Sequence, residues 1–224
     1  MKSKKFDLNK WYENNYALIN ASANPNSLVF KYLHKSLEKD FKTNAGLEIL
    51  EIGANVGEHV SFVAKNFSSY TLSDIRQTKF LNQGNPKIKF LIADVSNLPF
   101  EDSTFDRIIS TCVFHHLSDP ARGLEEIRRV VRIGGYISIL LPNDPGIMYR
   151  ALRGLTTLRT AKRKGLLDDI QLVHALEHKN HYLSIRTLIK WVFENDEIKL
   201  RFKPFWIPSY NVNAITVIKI QRLS

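Results

Sequence analysis

Three acidic residues, Glu51, Asp74 and Asp94, each stand where a short apolar run stops, and Glu51 opens the loop Gly53-Ala54-Asn55-Val56-Gly57. Glycines at a strand end let the backbone turn sharply and let a ligand approach, and a helix start behind them offers free N–H groups. On its own that loop also suits an ordinary strand-to-helix turn. The three carboxylates together say more. Like charges at successive strand ends repel one another and need solvent or partners. A ligand carrying hydroxyls and amines satisfies them all. A ribose diol suits Asp74, which lies about 20 residues beyond the loop as the acidic residue of dinucleotide sites does. An exocyclic adenine amine suits Asp94. A fourth run ends at Thr111-Cys112, and His115 and His116 follow within a turn. His178 lies far downstream in His174-Ala175-Leu176-Glu177-His178. Histidine exchanges a proton near neutral pH, so His116, with His115 beside it, and His178 are candidate general bases. Packing or capping is the plain alternative for each.

The elements that must position these residues alternate. Residues 1–26 are polar with four aromatics, and the Trp11-Tyr12-Glu13 region suits a short helix that packs on the body. Ala23-Asn24-Pro25-Asn26 is a breaker. Ser27 is placed to cap a helix from Leu28 to about Phe41, with Val29, Tyr32, Leu33, Leu37 and Phe41 on one face. Strands are expected at Leu47–Ile52, Tyr70–Ser73, Ile88–Ala93, Arg107–Thr111 and Tyr136–Leu141. Helices are expected from Glu58 to Phe67, in a short piece through Phe80, and from Pro120 to Val131. Such alternation means βαβ units and a parallel sheet, in which ligands bind beyond the carboxyl ends of the strands. After Pro142 it pauses for about forty residues. It resumes with a helix from Ser184 to about Glu194 and an antiparallel strand pair, Ile198–Phe205 and Ala214–Ile220.

The 224 residues, 44% hydrophobic and 24% charged, suffice for one α/β domain with a full core. No apolar run is long enough for a transmembrane helix. The basic N-terminus lacks an apolar segment behind it, so no secretory signal is expected. A single cysteine, Cys112, excludes an internal disulfide, and no metal cluster is expected from it. A reducing cytoplasm fits. The net charge of +10 favours anionic partners: phosphorylated metabolites, nucleic acid or an anionic membrane face.

The pieces "LEIGANVG", "LSDI", "ADVSNLPFEDSTFDRIIST", "FHHLSDP" and "EEIRRVVRIGGYISILLPN" resemble the class I S-adenosylmethionine-dependent methyltransferases, in particular the ubiquinone-biosynthesis-type small-molecule group. The resemblance is close over residues 45–142 and looser over 184–222. It implies a Rossmann-like seven-stranded sheet, order 3-2-1-4-5-7-6 with the last strand antiparallel, helices on both faces, and S-adenosyl-L-methionine as cofactor. It implies that Glu51 and the loop with Gly53, Ala54, Asn55 and Gly57 hold the amino-acid part of the cofactor. Asp74 takes the ribose hydroxyls and Ile75 packs on the adenine. Asp94 binds the adenine amine, the Val95 backbone meets the ring, and Thr111 and Cys112 lie along the methionine portion. Asn55 stands where the family usually has glycine; asparagine tolerates left-handed backbone angles, so the turn survives. A nicotinamide-dependent Rossmann domain fits less well, because its Gly-x-Gly-x-x-Gly spacing is absent.

On this reading residues 1–44 form an N-terminal helical segment, 45–142 the cofactor core, 143–183 an inserted lid and 184–222 the closing helix and strand pair of one domain. Within the insertion Ile147, Met148, Ala151, Leu152, Leu155, Leu158 and Ala161 fall on one helical face. Six basic residues (Arg150, Arg153, Arg159, Lys162, Arg163, Lys164) lie mostly on the other. Three readings stay open: a lid over the acceptor, a basic helix resting on the inner membrane face, or a solvated charged face. The expected acceptor is a small, anionic or surface-associated molecule such as a sugar, polysaccharide or lipid-linked intermediate. A nucleic-acid-modifying enzyme and a non-catalytic adenosyl-binding protein are the alternatives. Against nucleic acid, no Asn-Pro-Pro-Tyr-like element follows the fourth strand and no RNA-binding module is visible.

Overall fold

The computed structural model describes residues 6–11, 14–15, 17–19, 27–41, 44–77, 80–81 and 84–224. Tyr12, Glu13, Tyr16 and the expected breaker at 23–26 lie outside them. Two helical turns, α1 (Leu8–Trp11) and α2 (Ala17–Ile19), precede α3 (Leu28–Glu38). A seven-stranded sheet follows: β1 (Glu48–Ile52), β2 (Ser69–Asp74), β3 (Ile88–Ile92), β4 (Phe105–Thr111), β5 (Val131–Pro142), β6 (Glu197–Lys203) and β7 (Ile215–Gln221). Its order is β3-β2-β1-β4-β5-β7-β6. The first five strands pair in parallel, and β7 runs antiparallel to both β5 and β6. This is the order expected above.

A parallel sheet needs both faces covered, so its strands read as continuous apolar runs. Alternate residues go to opposite sides. Leu50, Ile52 and Ile108 face α4 (Pro120–Val130) and α8 (Tyr182–Val192), which bring Leu124, Ile127, Val130, Ile185 and Ile189. Ile49 and Ile109 face α3 and the loop after β1, with Leu33, Leu37, Val60 and Phe67. Ile49, Leu50, Ile108 and Ile109 are wholly buried, each worth about 1.5–3 kcal/mol relative to exposure. Caps stop the helices where expected. Ser27 Oγ accepts the Phe30 N–H at 3.0 Å, and Asp119 accepts the Arg122 N–H at 3.0 Å ahead of Pro120.

Four expectations are corrected. The helix after the glycine loop is a single 3₁₀ segment, Glu58–Phe62; Val63 is extended and its N–H returns to Val60. Val60, Val63 and Phe67 are all buried, so the helical spacing recorded burial without a helix. The piece after β2 is a bend at Ile75 and Arg76; residues 78 and 79 lie outside the described set. The buried stripe of α3 is Phe30, Leu33, His34 and Leu37, while Val29 and Tyr32 are exposed. Finally, β5 begins at Val131, ahead of the Gly134-Gly135 kink.

A buried charge network ties α3 to the sheet. Arg107, fully buried on β4, forks onto Glu38 at 2.8 and 2.6 Å and donates to Asn44 Oδ1 at 3.0 Å. His59 Nε2 meets the same carboxylate at 2.9 Å. Burial pushes the Glu38 carboxyl up, but hydrogen bonds with His59 and Arg107 outweigh it and hold it below its ordinary range. Removing one partner of such a pair costs about 3–5 kcal/mol.

The segment 143–181 is helical: α5 (Ile147–Arg153), a π-helical stretch (Gly154–Leu158), α6 (Arg159–Arg163) and α7 (Leu167–Glu177). The π turn spends an extra residue and rotates the following face. The expected single apolar face is therefore split. Ile147 and Leu155 point to solvent at 70% and 67% exposure. Ala161, with Ile170 and Val173 of α7, buries against Trp11 and Ile19. Leu158 packs on that cluster from its edge. Among the described residues no helix is long and apolar enough to cross a membrane.

Candidate functional site

The glycine loop is built by left-handed backbone. Gly53, Asn55 and Gly57 have φ of 60°, 50° and 79°. A Cβ on Gly53 would stand 2.3 Å from Val113 Cγ2, and one on Gly57 would stand 2.8 Å from Leu72 Cδ1. Both positions demand glycine on two grounds, conformation and space. Asn55 takes the left-handed angle without glycine and donates its side-chain amide to Glu58 Oε1 at 3.1 Å.

Asp74, at the carboxyl end of β2, organises the loop. Its Oδ2 accepts the Asn55 N–H at 3.0 Å and its Oδ1 accepts the Arg76 N–H at 3.0 Å. The Ala54 N–H reaches the neighbouring Ser73 carbonyl at 2.9 Å. Asp74 is buried, yet Ile75 beside it is 67% exposed. An aliphatic shelf in water next to a buried carboxylate is a surface that an adenosyl group would cover. Asp94 stands exposed at the end of β3, its Oδ1 accepting the Ser96 N–H and hydroxyl at 2.9 and 2.8 Å, with Val95 buried behind it. Thr111 and Cys112 close the end of β4 half-buried, and Cys112 is held at φ 58°. Burial pushes its thiol up to about 12, so it stays a neutral wall.

Glu51 is placed differently from its expected role. Strand alternation turns it under the loop, where it is 1% exposed and accepts the Tyr70 hydroxyl at 2.7 Å. Burial, ahead of all other influences, raises its carboxyl to about 8. The carboxylate that does flank the loop is Glu58, bonded to Asn55. No motif marked it; its position three residues after Asn55 is the usable signal.

Four histidines and Asp144 converge from three segments. His115 and His116 follow β4. Asp144 follows β5. His174 and His178 lie at the end of α7, four apart and so on one face. The ring of His178 is 3.6 Å from that of His174, 4.6 Å from His115 and 5.1 Å from His116, centroid to centroid. Backbone pairing fixes the approach: the Lys179 and Asn180 N–H groups donate to the His115 carbonyl at 3.1 and 3.2 Å, and the Tyr182 N–H to the Asp144 carbonyl at 2.8 Å. His116 Nδ1 lies 3.3 Å from the Glu177 carbonyl. Burial, then His178, holds His116 down at about 4. His174 falls to about 3 for the same two reasons, with Arg153 adding to them. His115 is held well below its ordinary value, by burial first. His116 and His178 were separate candidates in the sequence; the structure brings them together and adds His174 and Asp144, which no motif announced.

Residues 50–139 match the methyltransferase domain family. A phthiotriol/phenolphthiotriol dimycocerosates methyltransferase of Mycobacterium tuberculosis is 28% identical over 160 residues, covering 68% of this chain and 58% of that protein. The chain thus spans less than two thirds of that relative. Among solved structures, a chain of the Haloferax volcanii complex of the Trm112 methyltransferase activator with a methyltransferase superposes with a TM-score of 0.66 at 12% identity, covering 99% of this chain and all of that one. A phosphoethanolamine N-methyltransferase 2 of Haemonchus contortus in complex with S-adenosyl-L-methionine superposes at 0.62 with 11% identity, covering all of this chain and 62% of that one. The strand order is that of the superposed methyltransferase structures, and the family match falls on the core from β1 to β5 that carries the glycine loop. The loop, Asp74 and the exposed Ile75 offer a surface that an adenosyl ligand such as S-adenosylmethionine would fit.

Proposed function

We infer that the chain moves the methyl group of S-adenosylmethionine to a hydroxyl of a small, lipid- or sugar-linked acceptor bound between β4, β5 and the insertion. The observation that carries this reading is the meeting of two halves at the carboxyl edge of one sheet. The Gly53–Gly57 loop, Asp74 and Ile75 suit an adenosyl ligand, and His115, His116 and His178 stand beyond β4, next in line. Arg76, two residues past Asp74, is near enough to His116 to disfavour its protonation.

The cofactor supplies an activated methyl group when bound. On this assignment the backbone N–H groups of the loop and Glu58 hold its amino-acid end. Asp74 takes the ribose, and Asp94 and Val95 take the adenine. Thr111 and Cys112 line the reacting side. The neutral His116 imidazole orients the acceptor and receives its proton. The segment 143–181 covers the acceptor, and Trp11 braces it from the N-terminal side.

A specific surface favours a lipid-associated acceptor. Ile147 and Leu155 are exposed beside the basic residues of α5 and α6. The loop between β6 and β7, which exposes Phe205, Trp206 and Ile207, meets α5 through the Met148 N–H and the Asn211 carbonyl at 2.9 Å. Exposed apolar side chains on a segment rich in exposed cations suit an anionic bilayer face. The mycobacterial relative is named for a phthiotriol, a triol by its name, which agrees with a hydroxyl acceptor. Calorimetric titration with S-adenosylmethionine and its demethylated product tests the cofactor half. Transfer of labelled methyl to hydroxylated lipid and sugar-phosphate fractions tests the acceptor half. Micromolar binding with labelled product from the lipid fraction supports the reading; binding with label only in nucleic acid overturns it.

A further inference from the structure

We propose that His174, His178 and Asp144 bind one divalent transition-metal ion of the zinc type, with an open position toward His115 and His116. Their ligand atoms all lie within 4.8 Å of one another, and so do those of His115, His116 and His178, which share His178 as the hinge. Asp144 Oδ2 is 3.7 Å from His174 Nε2 and 3.8 Å from His178 Nδ1. Both distances are too long for a hydrogen bond. They are close to the roughly 3.3–3.6 Å that separates two ligands of one tetrahedral ion bound at about 2.0–2.2 Å.

Two further observations point to a missing partner. His115 Nδ1 and His174 Nε2 are buried and make no hydrogen bond among the described residues. His115 as a whole is 7% exposed, and a buried polar atom left unsatisfied is costly. The four rings crowd one another beside Asp144, with the Glu177 carboxylate 4.0 Å from His116 Nδ1, an arrangement that a hydrophobic core does not require and that an ion satisfies. The helical spacing of His174 and His178 presents two imidazoles to one point, as helix-borne metal pairs do. Imidazole with one carboxylate selects zinc, cobalt, nickel or iron over magnesium and calcium.

Three protein ligands leave room for an oxygen donor. A hydroxyl of the acceptor bound there would lose its proton to His116 more readily, because the cation stabilises the alkoxide. That consequence rests on the methyl-transfer reading; the binding of the ion does not.

The test is cobalt titration of the chelator-stripped chain, followed by visible absorption, with elemental analysis of the chain as purified. We expect about one equivalent per chain and the ligand-field bands of a low-coordinate site. His178→Ala, His174→Gln and Asp144→Asn should each weaken binding by more than about 100-fold, since even outer partners of such ligands are worth 10–100-fold. His181→Ala, outside the cluster, should keep it. Circular dichroism and a cooperative melt of each variant show that it is folded, and His174→Gln and Asp144→Asn decide if His178→Ala is not. Less than about 0.1 equivalent, or unchanged affinity in the folded variants, overturns the site. Metal binding without adenosyl binding would leave this site standing and sink the methyl-transfer reading instead.

Discussion

The two halves of the sheet edge, the one proposed for the cofactor and the one proposed for the acceptor, are built by opposite means. At β1 and β2 the working groups are backbone N–H groups and one carboxylate, placed by glycine angles within 25 residues of chain. At β4 and β5 they are imidazoles and Asp144, brought together from segments about sixty residues apart. A backbone-built site depends on a few conformational positions and tolerates many side chains around them. A side-chain-built site depends on every member and on the packing of the insertion that delivers it. On the proposed assignment, the difference separates a part that holds the adenosyl ligand from a part that chooses a substrate.

The largest expected break in this contrast is Asp74→Ala. It removes the acceptor for the Asn55 N–H and the partner assigned to the ribose, and calorimetry should show S-adenosylmethionine affinity falling by about 100-fold or more. Metal uptake at the histidines should be untouched. His116→Ala is the mirror test. Turnover should fall by about 100-fold while cofactor affinity stays within about twofold. Equal losses of both would mean that the two halves are one unit.

Gly53→Ala probes the backbone directly. Its Cβ meets Val113 at 2.3 Å and its φ is 60°, so stability in urea should drop by about 2 kcal/mol. A milder test uses Glu51, buried with a carboxyl raised to about 8. The folded chain keeps that proton to higher pH than the unfolded chain, which binds fewer protons once pH passes the ordinary carboxyl value. Stability from this group is therefore fully present at low pH and is lost as pH rises toward 8. The parent should lose up to about 1.4 kcal/mol per pH unit between about pH 5.5 and 7.5 from it, and Glu51→Gln should flatten that slope. Cofactor affinity at neutral pH should barely change; a large loss would return Glu51 to the cofactor. The smallest effect belongs to the surface: Trp206→Ala should reduce sedimentation with anionic vesicles several-fold, and added salt should do the same.

What could be read from sequence follows the same division. Strand positions and the glycine loop depend on neighbours along the chain, so alternation and Gly53 to Gly57 were legible, whereas the sheet order followed only from the family resemblance. The Asn55 angle followed from a residue property. Arg107 was not legible as the anchor of α3, because its partner Glu38 is 69 residues away and both look like surface charges in one dimension. The extent of the 58–67 segment was misread for a related cause. Apolar spacing reports which residues are buried, and His59 is drawn out of a regular helix toward Glu38 and His34 at 2.9 and 2.7 Å. The histidine group was half legible: His116 and His178 carry chemistry by type, whereas Asp144 and His174 acquire it only by arriving beside them.

The cluster around Trp11 has an optical consequence. Of the three tryptophans, Trp11 is 6% exposed against Ala161, Ile170 and Val173, while Trp191 and Trp206 are 61% and 90% exposed. A soluble quencher would silence the outer two and leave one blue-shifted emitter, seated where the N-terminal turn meets the insertion. Its colour would report the packing of 143–181 on the N-terminal turn, so a stopped-flow fluorimeter could follow that contact on mixing with a ligand without any added label.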